Sequence, residues 1–191
     1  MLTKLKYGNT NTYFVNGLLI DTDYAGTLSA FYKEIKKSGI SVADIKYVFA
    51  THYHPDHIGL VSELMELDVK LLLMKHQSEY VHFSDGIFQR DPRLNYMPID
   101  ESKAVVIACE DSREFLRGLG ISGGIIPTKS HSSDGAAVIL DDGNCFVGDL
   151  EPFEFIGAYE NNTVLQRDWE QILSYAPVTI HYGHANEKMM R

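Results

Sequence analysis

The chain has 191 residues, 45% hydrophobic and 23% charged, a size and balance that fit one globular domain with a buried core, expected to span 1–191. Its formal charge is −9 at pH 7 and no lysine or arginine cluster is placed to neutralise phosphates, so nucleic acid is not an expected partner. No apolar stretch reaches the ~20 residues that cross a bilayer, the opening "MLTKLKYGNTNTYF" lacks the apolar core of a secretory signal, and two cysteines make no disulfide framework. A cytoplasmic protein with no membrane partner is expected.

In chain order, "NTYFVNGLLIDTD" reads as two short strands around Asn16-Gly17, a hairpin turn signal. Leu28, Phe31, Tyr32 and Ile35 recur at helical spacing between Thr27 and Lys37, with Gly39 just beyond. "IKYVFATH" is an apolar, β-branched run and predicts a buried strand. Ile58 to Leu67 predicts a helix and "VKLLLMK" a strand. Residues 76–100 carry no sustained period. "KAVVIAC" predicts a strand, Ser112 to Leu119 a helix closed by Gly120, and "GIIPTKSH" a short strand. "GAAVILDDGNCFVGD" predicts a hairpin turning at Asp142-Gly143, followed by an aromatic loop over 151–163. Val164 to Tyr175 predicts a helix and "VTIHYGH" the last strand. Mixed strands, hairpins and helices predict an α/β (α+β) domain with helices covering sheets, and hairpins at both ends argue against a purely parallel sheet.

"THYHPDHIG", residues 51–59, gathers His52, His54, Asp56 and His57. Four short apolar runs end in a residue of this kind: His52, His131, Asp149 and His184. Strands side by side in one sheet would bring those ends to one edge, where α/β sites form. Residues two apart in an extended segment face the same way, so His52 and His54 can share an ion. Pro55 favours an extended His54 and can open a helix, which displaces Asp56 and His57 from that pair. Gly59 would let the helix approach the sheet. His52, His54 and His131 then suit one metal ion, Asp56, His57 and His184 a second, and Asp149 a bridge. Three protein ligands with an open position is the pattern of a catalytic zinc site. Imidazole and carboxylate suit zinc first, with iron or manganese as alternatives.

These motifs resemble the metallo-β-lactamase-fold hydrolases. "HYHPDH" matches that superfamily's H-x-H-x-D-H signature, and "SHSSDG" (130–135), "VGD" (147–149) and "YGH" (182–184) match its later motifs in order. The resemblance runs from "LLIDTD" to "YGHA" and implies a four-layer αββα sandwich with a dinuclear site at one edge. Leu60, Ser130 and Ala185 stand where the family often has glycine. None of these removes a ligand, so the departures bear on subfamily.

The expected function is a metal-dependent hydrolase of a small-molecule ester, thioester, lactone, amide or phosphate. Two transition-metal ions would lower the pKa of a bridging water from ~15.7 towards ~7 and so present a hydroxide nucleophile. Asp56 is the expected catalytic residue, holding or relaying a proton. The alternatives are an iron oxidoreductase or oxygenase on the same fold and a non-catalytic metal sensor. Asp21, ending "GLLID", could orient a ligand histidine. Tyr96, Phe153, Phe155 and Tyr159 are candidate substrate-lining residues. His181, inside a strand, is expected to pack or hydrogen-bond. No motif encodes an oligomeric state.

Overall fold

Alternating strands and helices build two mixed sheets in the computed structural model, which describes residues 2–158 and 162–190. The chain forms two compact units, Met1–Ala108 and Cys109–Arg191.

The first unit carries β1 (Leu2–Lys6), β2 (Asn11–Val15), β3 (Leu18–Ile20), α1 (Leu28–Lys37), β4 (Tyr47–Phe49), α2 (Pro55–Ile58), α3 (Val61–Met65), β5 (Lys70–Met74), α4 (Asp85–Phe88) and β6 (Val105–Ile107). Its six strands lie in sequence order, antiparallel from β1 to β3 and parallel from β3 to β6. The β2–β3 turn is Asn16-Gly17, with φ of 45° and 89°, the positive pair a tight hairpin requires. Phe31 and Ile35 of α1 and Leu64 of α3 bury against Leu19, Val48, Leu71 and Leu73 of the sheet. Full burial of each such side chain contributes about 1.5–3 kcal/mol.

The second unit carries α5 (Ser112–Gly118), β7 (Gly123–Pro127), β8 (Ala136–Leu140), β9 (Asn144–Gly148), α6 (Thr163–Leu173), β10 (Thr179–Tyr182) and β11 (Lys188–Met189). Its sheet order is β11-β10-β9-β8-β7, with β9 and β10 parallel and the other pairs antiparallel. Leu165, Trp169 and Ile172 make one buried face of α6 and pack with Ile139, Cys145, Val147 and Ile180. No helix among the described residues is long and apolar enough to cross a membrane.

The segment 76–100, which carries no sustained period in sequence, is a run of short turns: a 3₁₀ turn at Lys75–Tyr80, then α4, then a 3₁₀ turn at Pro92–Leu94. Two expectations change. The helix foreseen over 58–67 is two short helices, α2 and α3, parted at Gly59-Leu60. The four ligand-bearing runs do not share one sheet: β4 belongs to the six-stranded sheet, and β7, β9 and β10 to the five-stranded one. Apolar runs of either sheet look alike in sequence, because both sheets are buried. Strands β1 and β11 were not foreseen: "LTKLK" alternates with exposed charge, and β11 has two residues.

Candidate metal centre

In the first unit, the four residues lie on one segment that leaves β4, His52 and His54 in the loop and Asp56 and His57 within α2 itself. Polar side chains from elsewhere in the unit hold its backbone at nearly every step. Buried Gln77 donates to the carbonyls of Ala50 (3.1 Å) and Thr51 (3.3 Å). Buried Ser84 donates to Tyr53 O (2.7 Å), Thr10 to Asp56 O (2.6 Å), and Thr22 to His57 O (3.0 Å). His54 is extended (φ −73°, ψ 152°) and precedes Pro55 at the first position of α2, as the sequence requires.

Gly59 closes the loop at a tight crossing. A Cβ there would fall well inside contact distance of the backbone of Tyr24 and Ala25. What approaches closely is therefore the segment after β3.

Asp21 governs the protons of this loop. Its side chain is buried and accepts the Thr51 N–H at 2.7 Å and the Thr51 hydroxyl at 2.9 Å. Having donated to Asp21, the Thr51 oxygen accepts from His52 Nδ1, 3.1 Å away. Asp21 Oδ2 also stands 3.0 Å from His57 Nδ1. The Thr51 hydroxyl thereby sets His52 as the Nδ1–H tautomer, and a carboxylate this close to Nδ1 favours the same tautomer at His57, an arrangement that leaves Nε2 of each as a lone-pair donor.

His52 Nε2 lies 3.0 Å from His54 Nδ1, and the His52 and His57 ring centroids are 4.1 Å apart. Two nitrogens bound to a tetrahedral zinc at 2.0–2.1 Å stand about 3.3 Å apart, so the His52–His54 spacing fits a shared ion.

The second unit supplies His131, Asp149 and His184. Strands β9 and β10 end side by side, where Gly183 N–H donates to Gly148 O at 2.7 Å. Asp149 and His184 are the next residue after each. β7 runs parallel to β9 through β8, so the loop carrying His131 leaves the same end of the sheet. Asp149 Oδ2 is 3.3 Å from His184 Nε2 and 3.9 Å from His131 Nε2, a carboxylate placed between two imidazoles.

The His131 loop is fixed by Asp168 of α6, which accepts the Ser130 N–H at 2.8 Å. It is fixed also by Gly135, where a Cβ would overlap Thr128 O. A pocket of about 270 Å³ opens at this end, lined by His131, Asp149 and His184 together with Leu150, Pro152, Tyr182 and Ala185. Burial pushes the Tyr182 phenol up to about 12, so it stays protonated at neutral pH.

The candidate substrate-lining residues scatter. Tyr96 is half-buried against the core of its unit, its ring 4.3 Å from that of Phe88 and its hydroxyl donating to Asp85 at 2.8 Å. Phe153 packs edge-on to Trp169 and lines a different pocket with Gln166, Glu170 and Leu173. Phe155 is exposed. Tyr159 lies outside the described residues. His181 donates from Nε2 to Asn144 Oδ1 at 2.8 Å and stacks on Phe146. The supports of the histidine loop, Thr10, Thr22, Gln77 and Ser84, carried no sequence signal beyond being polar residues near apolar runs.

The donor set is imidazole and carboxylate with no thiolate, which suits zinc, iron or manganese. Histidines and aspartates gathered at strand ends in each unit of an α/β fold make a candidate metal centre.

The family model described as the Metallo-beta-lactamase superfamily matches residues 5–184, and the chain belongs to that superfamily. It is 28% identical over 151 residues to the atrochrysone carboxyl ACP thioesterase AacuM of Aspergillus aculeatus, an alignment covering 76% of this chain and 41% of that protein. It is 30% identical over 135 residues to the metallo-beta-lactamase fold-containing protein ST1585 of Sulfurisphaera tokodaii, covering 63% of this chain and 48% of that one. The chain thus spans less than half the length of these curated relatives.

Among solved structures, ST1585 from Sulfolobus tokodaii superposes with a TM-score of 0.69 at 21% identity, over 98% of this chain and 81% of that one. TTHA1623, solved in a di-iron-bound form, gives a TM-score of 0.67 at 23% identity, over 99% of this chain and 94% of that one. At these identities the likeness establishes the metallo-β-lactamase fold.

Proposed function

We propose that the chain is a metal-dependent hydrolase of esters or thioesters, in which the two histidine clusters act together as one centre within a single functional domain over 1–191. His52, His54 and His131 would hold one ion and Asp56, His57 and His184 a second, with Asp149 shared between them. The observation that carries this reading is the Asp21–Thr51 network, which favours Nε2 of both His52 and His57 as lone-pair donors. The match of the family model across both units supports treating the clusters as one site. Bound there, the ions would supply a water acidified towards neutral pH and polarise the electrophilic oxygen.

The chain's own residues do the rest. Asp56 holds or relays a proton at its carboxylate. Asp21 fixes the ligand tautomers, and Asp149 keeps His131 and His184 facing one another. Esters and thioesters are favoured over phosphates because the wall of the pocket at the β9 and β10 ends holds no lysine or arginine among its described residues. The thioesterases among the relatives point the same way. Zinc is the proposed metal and iron the alternative, the latter favoured by the di-iron form of TTHA1623. A cytoplasmic location and a small-molecule substrate complete the proposal.

Elemental analysis of protein purified without added metal tests it, alongside a panel of chromogenic ester, thioester, lactone, phosphodiester and β-lactam substrates. Two ions per chain are expected, with at least one lost in a His52→Ala, His54→Ala double variant. Unchanged stoichiometry in that variant would overturn the assignment.

A further inference from the structure

The turn that follows the Lys75–Tyr80 3₁₀ helix presents one aromatic residue outward. Val81, Ser84 and Phe88 all point into the unit and are fully buried, a spacing that makes one inner face. Phe83 lies between them and is 62% exposed. The fold gains almost nothing from this ring, since burying a phenylalanine is where it contributes its 1.5–3 kcal/mol. Its ring nevertheless sits 6.0 Å from that of His54, tilted by 34°.

The position of Phe83 is tightly held by its neighbours. Ser84 hydrogen-bonds Tyr53 O, in the histidine loop itself. On the other side, His82 bridges Asp85 (2.9 Å) and Glu101 (2.7 Å), and Asp85 also accepts from Tyr96. An exposed apolar ring is thus anchored through both flanking residues beside a candidate metal ligand. Tyr96, expected from sequence to face substrate, instead serves as part of the anchor.

We propose that Phe83 is a specificity-determining wall beside His54, which selects substrates carrying an apolar acyl or aryl group next to the scissile bond. The inference rests on the hydrolase reading for its chemistry, but its contact with ligand needs only a metal-loaded centre. A flat aromatic face rewards apolar and aromatic groups through burial and ring–ring geometry. It offers nothing to a small polar substituent.

The test uses the full chain loaded with zinc, as wild type, Phe83→Ala and Phe83→Trp, with metal content and melting temperature measured for each. Isothermal titration gives the dissociation constants of benzyl mercaptan and 2-mercaptoethanol, two thiols that bind zinc and differ in their apolar group. Phe83→Ala is expected to weaken benzyl mercaptan about tenfold, and 2-mercaptoethanol less than about twofold, at unchanged metal content. Phe83→Trp should retain tight benzyl mercaptan binding and report it as a change in indole fluorescence. A second arm compares kcat and KM for acetyl, hexanoyl and benzoyl thioesters of one thiol, where the loss in Phe83→Ala should fall on KM for the two larger acyl groups.

Equal losses for both thiols, no loss for either, or no binding of benzyl mercaptan by the zinc-loaded wild type would overturn the proposal. Turnover of none of the thioesters, with the thiol preference intact, would instead overturn the hydrolase reading and leave the wall in place.

Discussion

Asp21 Oδ2 stands 3.0 Å from His57 Nδ1, and the same carboxylate receives both the N–H and the hydroxyl of Thr51. One buried residue therefore sets the strand end from which His52 leaves and the ring orientation of His57. Its backbone is left-handed, with φ of 57°, a region asparagine and aspartate tolerate far better than other side chains.

Asp21→Asn separates the charge from the backbone. The amide can still accept the Thr51 N–H, but it cannot accept from Thr51 and His57 together. Metal affinity should fall about 10- to 100-fold, the usual cost of losing a carboxylate behind a ligand histidine. Asp21→Ala should add a stability loss from the strained backbone. Competition titration with a chromogenic chelator measures the first effect and urea unfolding the second. Wild-type metal affinity in Asp21→Asn would remove Asp21 from the centre.

Gly59→Ala should be destabilising by about 1–3 kcal/mol, because the new methyl meets backbone and cannot be relieved by a side-chain rotation. Gly86→Ala is the matched control. It lies within α4, and a Cβ there meets nothing within 4 Å. That substitution should be neutral or stabilising by about 0.4–1 kcal/mol through the unfolded chain. Denaturant midpoints of the two variants in the same buffer decide the matter; equal shifts would refute the close crossing at Gly59.

His82 predicts a pH dependence. Burial pulls its pKa down, but the hydrogen bonds to Asp85 and Glu101 outweigh this, and the net shift is upward from 6.5. A raised pKa in the folded state means the protonated imidazole stabilises the fold. That contribution is complete below pH 6.5 and disappears as pH rises through the folded value. With its side chain 48% exposed, the clamp should contribute less than about 1 kcal/mol. Unfolding of wild type and His82→Gln at pH 6 and pH 9 should show a wild-type advantage at pH 6 that vanishes at pH 9. An advantage that grows with pH would contradict the clamp.

What the sequence made legible is what depends on neighbours in the chain. Asn16-Gly17 and Asp142-Gly143 announced their hairpins because positive φ is a local requirement, and β2–β3 and β8–β9 pair around them. The histidine motif was legible because its spacing is short. The break between α2 and α3 was not, since it comes from the close approach of residues 23–25 to Gly59. Gln77, Ser84 and Thr10 were equally silent. Each hydrogen-bonds a carbonyl between 26 and 46 residues away, and nothing beside them in the chain reports that partner. Tyr96 faces inward and not towards substrate for the same reason: which aromatic ring turns inward depends on Asp85 and Phe88, contacts that only the folded unit assembles.

The carbonyls of Ala50, Thr51, Tyr53, Asp56 and His57 are all tied down by protein groups alone. Conformational entropy, about 1–2 kcal/mol for each residue that must be fixed, is thus surrendered by this loop at folding and not again when an ion arrives. Most of the intrinsic affinity of its histidines is then free to appear as binding. On the metal-dependent reading, zinc added to chelator-stripped protein should bind this loop in a single rapid step, with the circular dichroism of the backbone unchanged throughout.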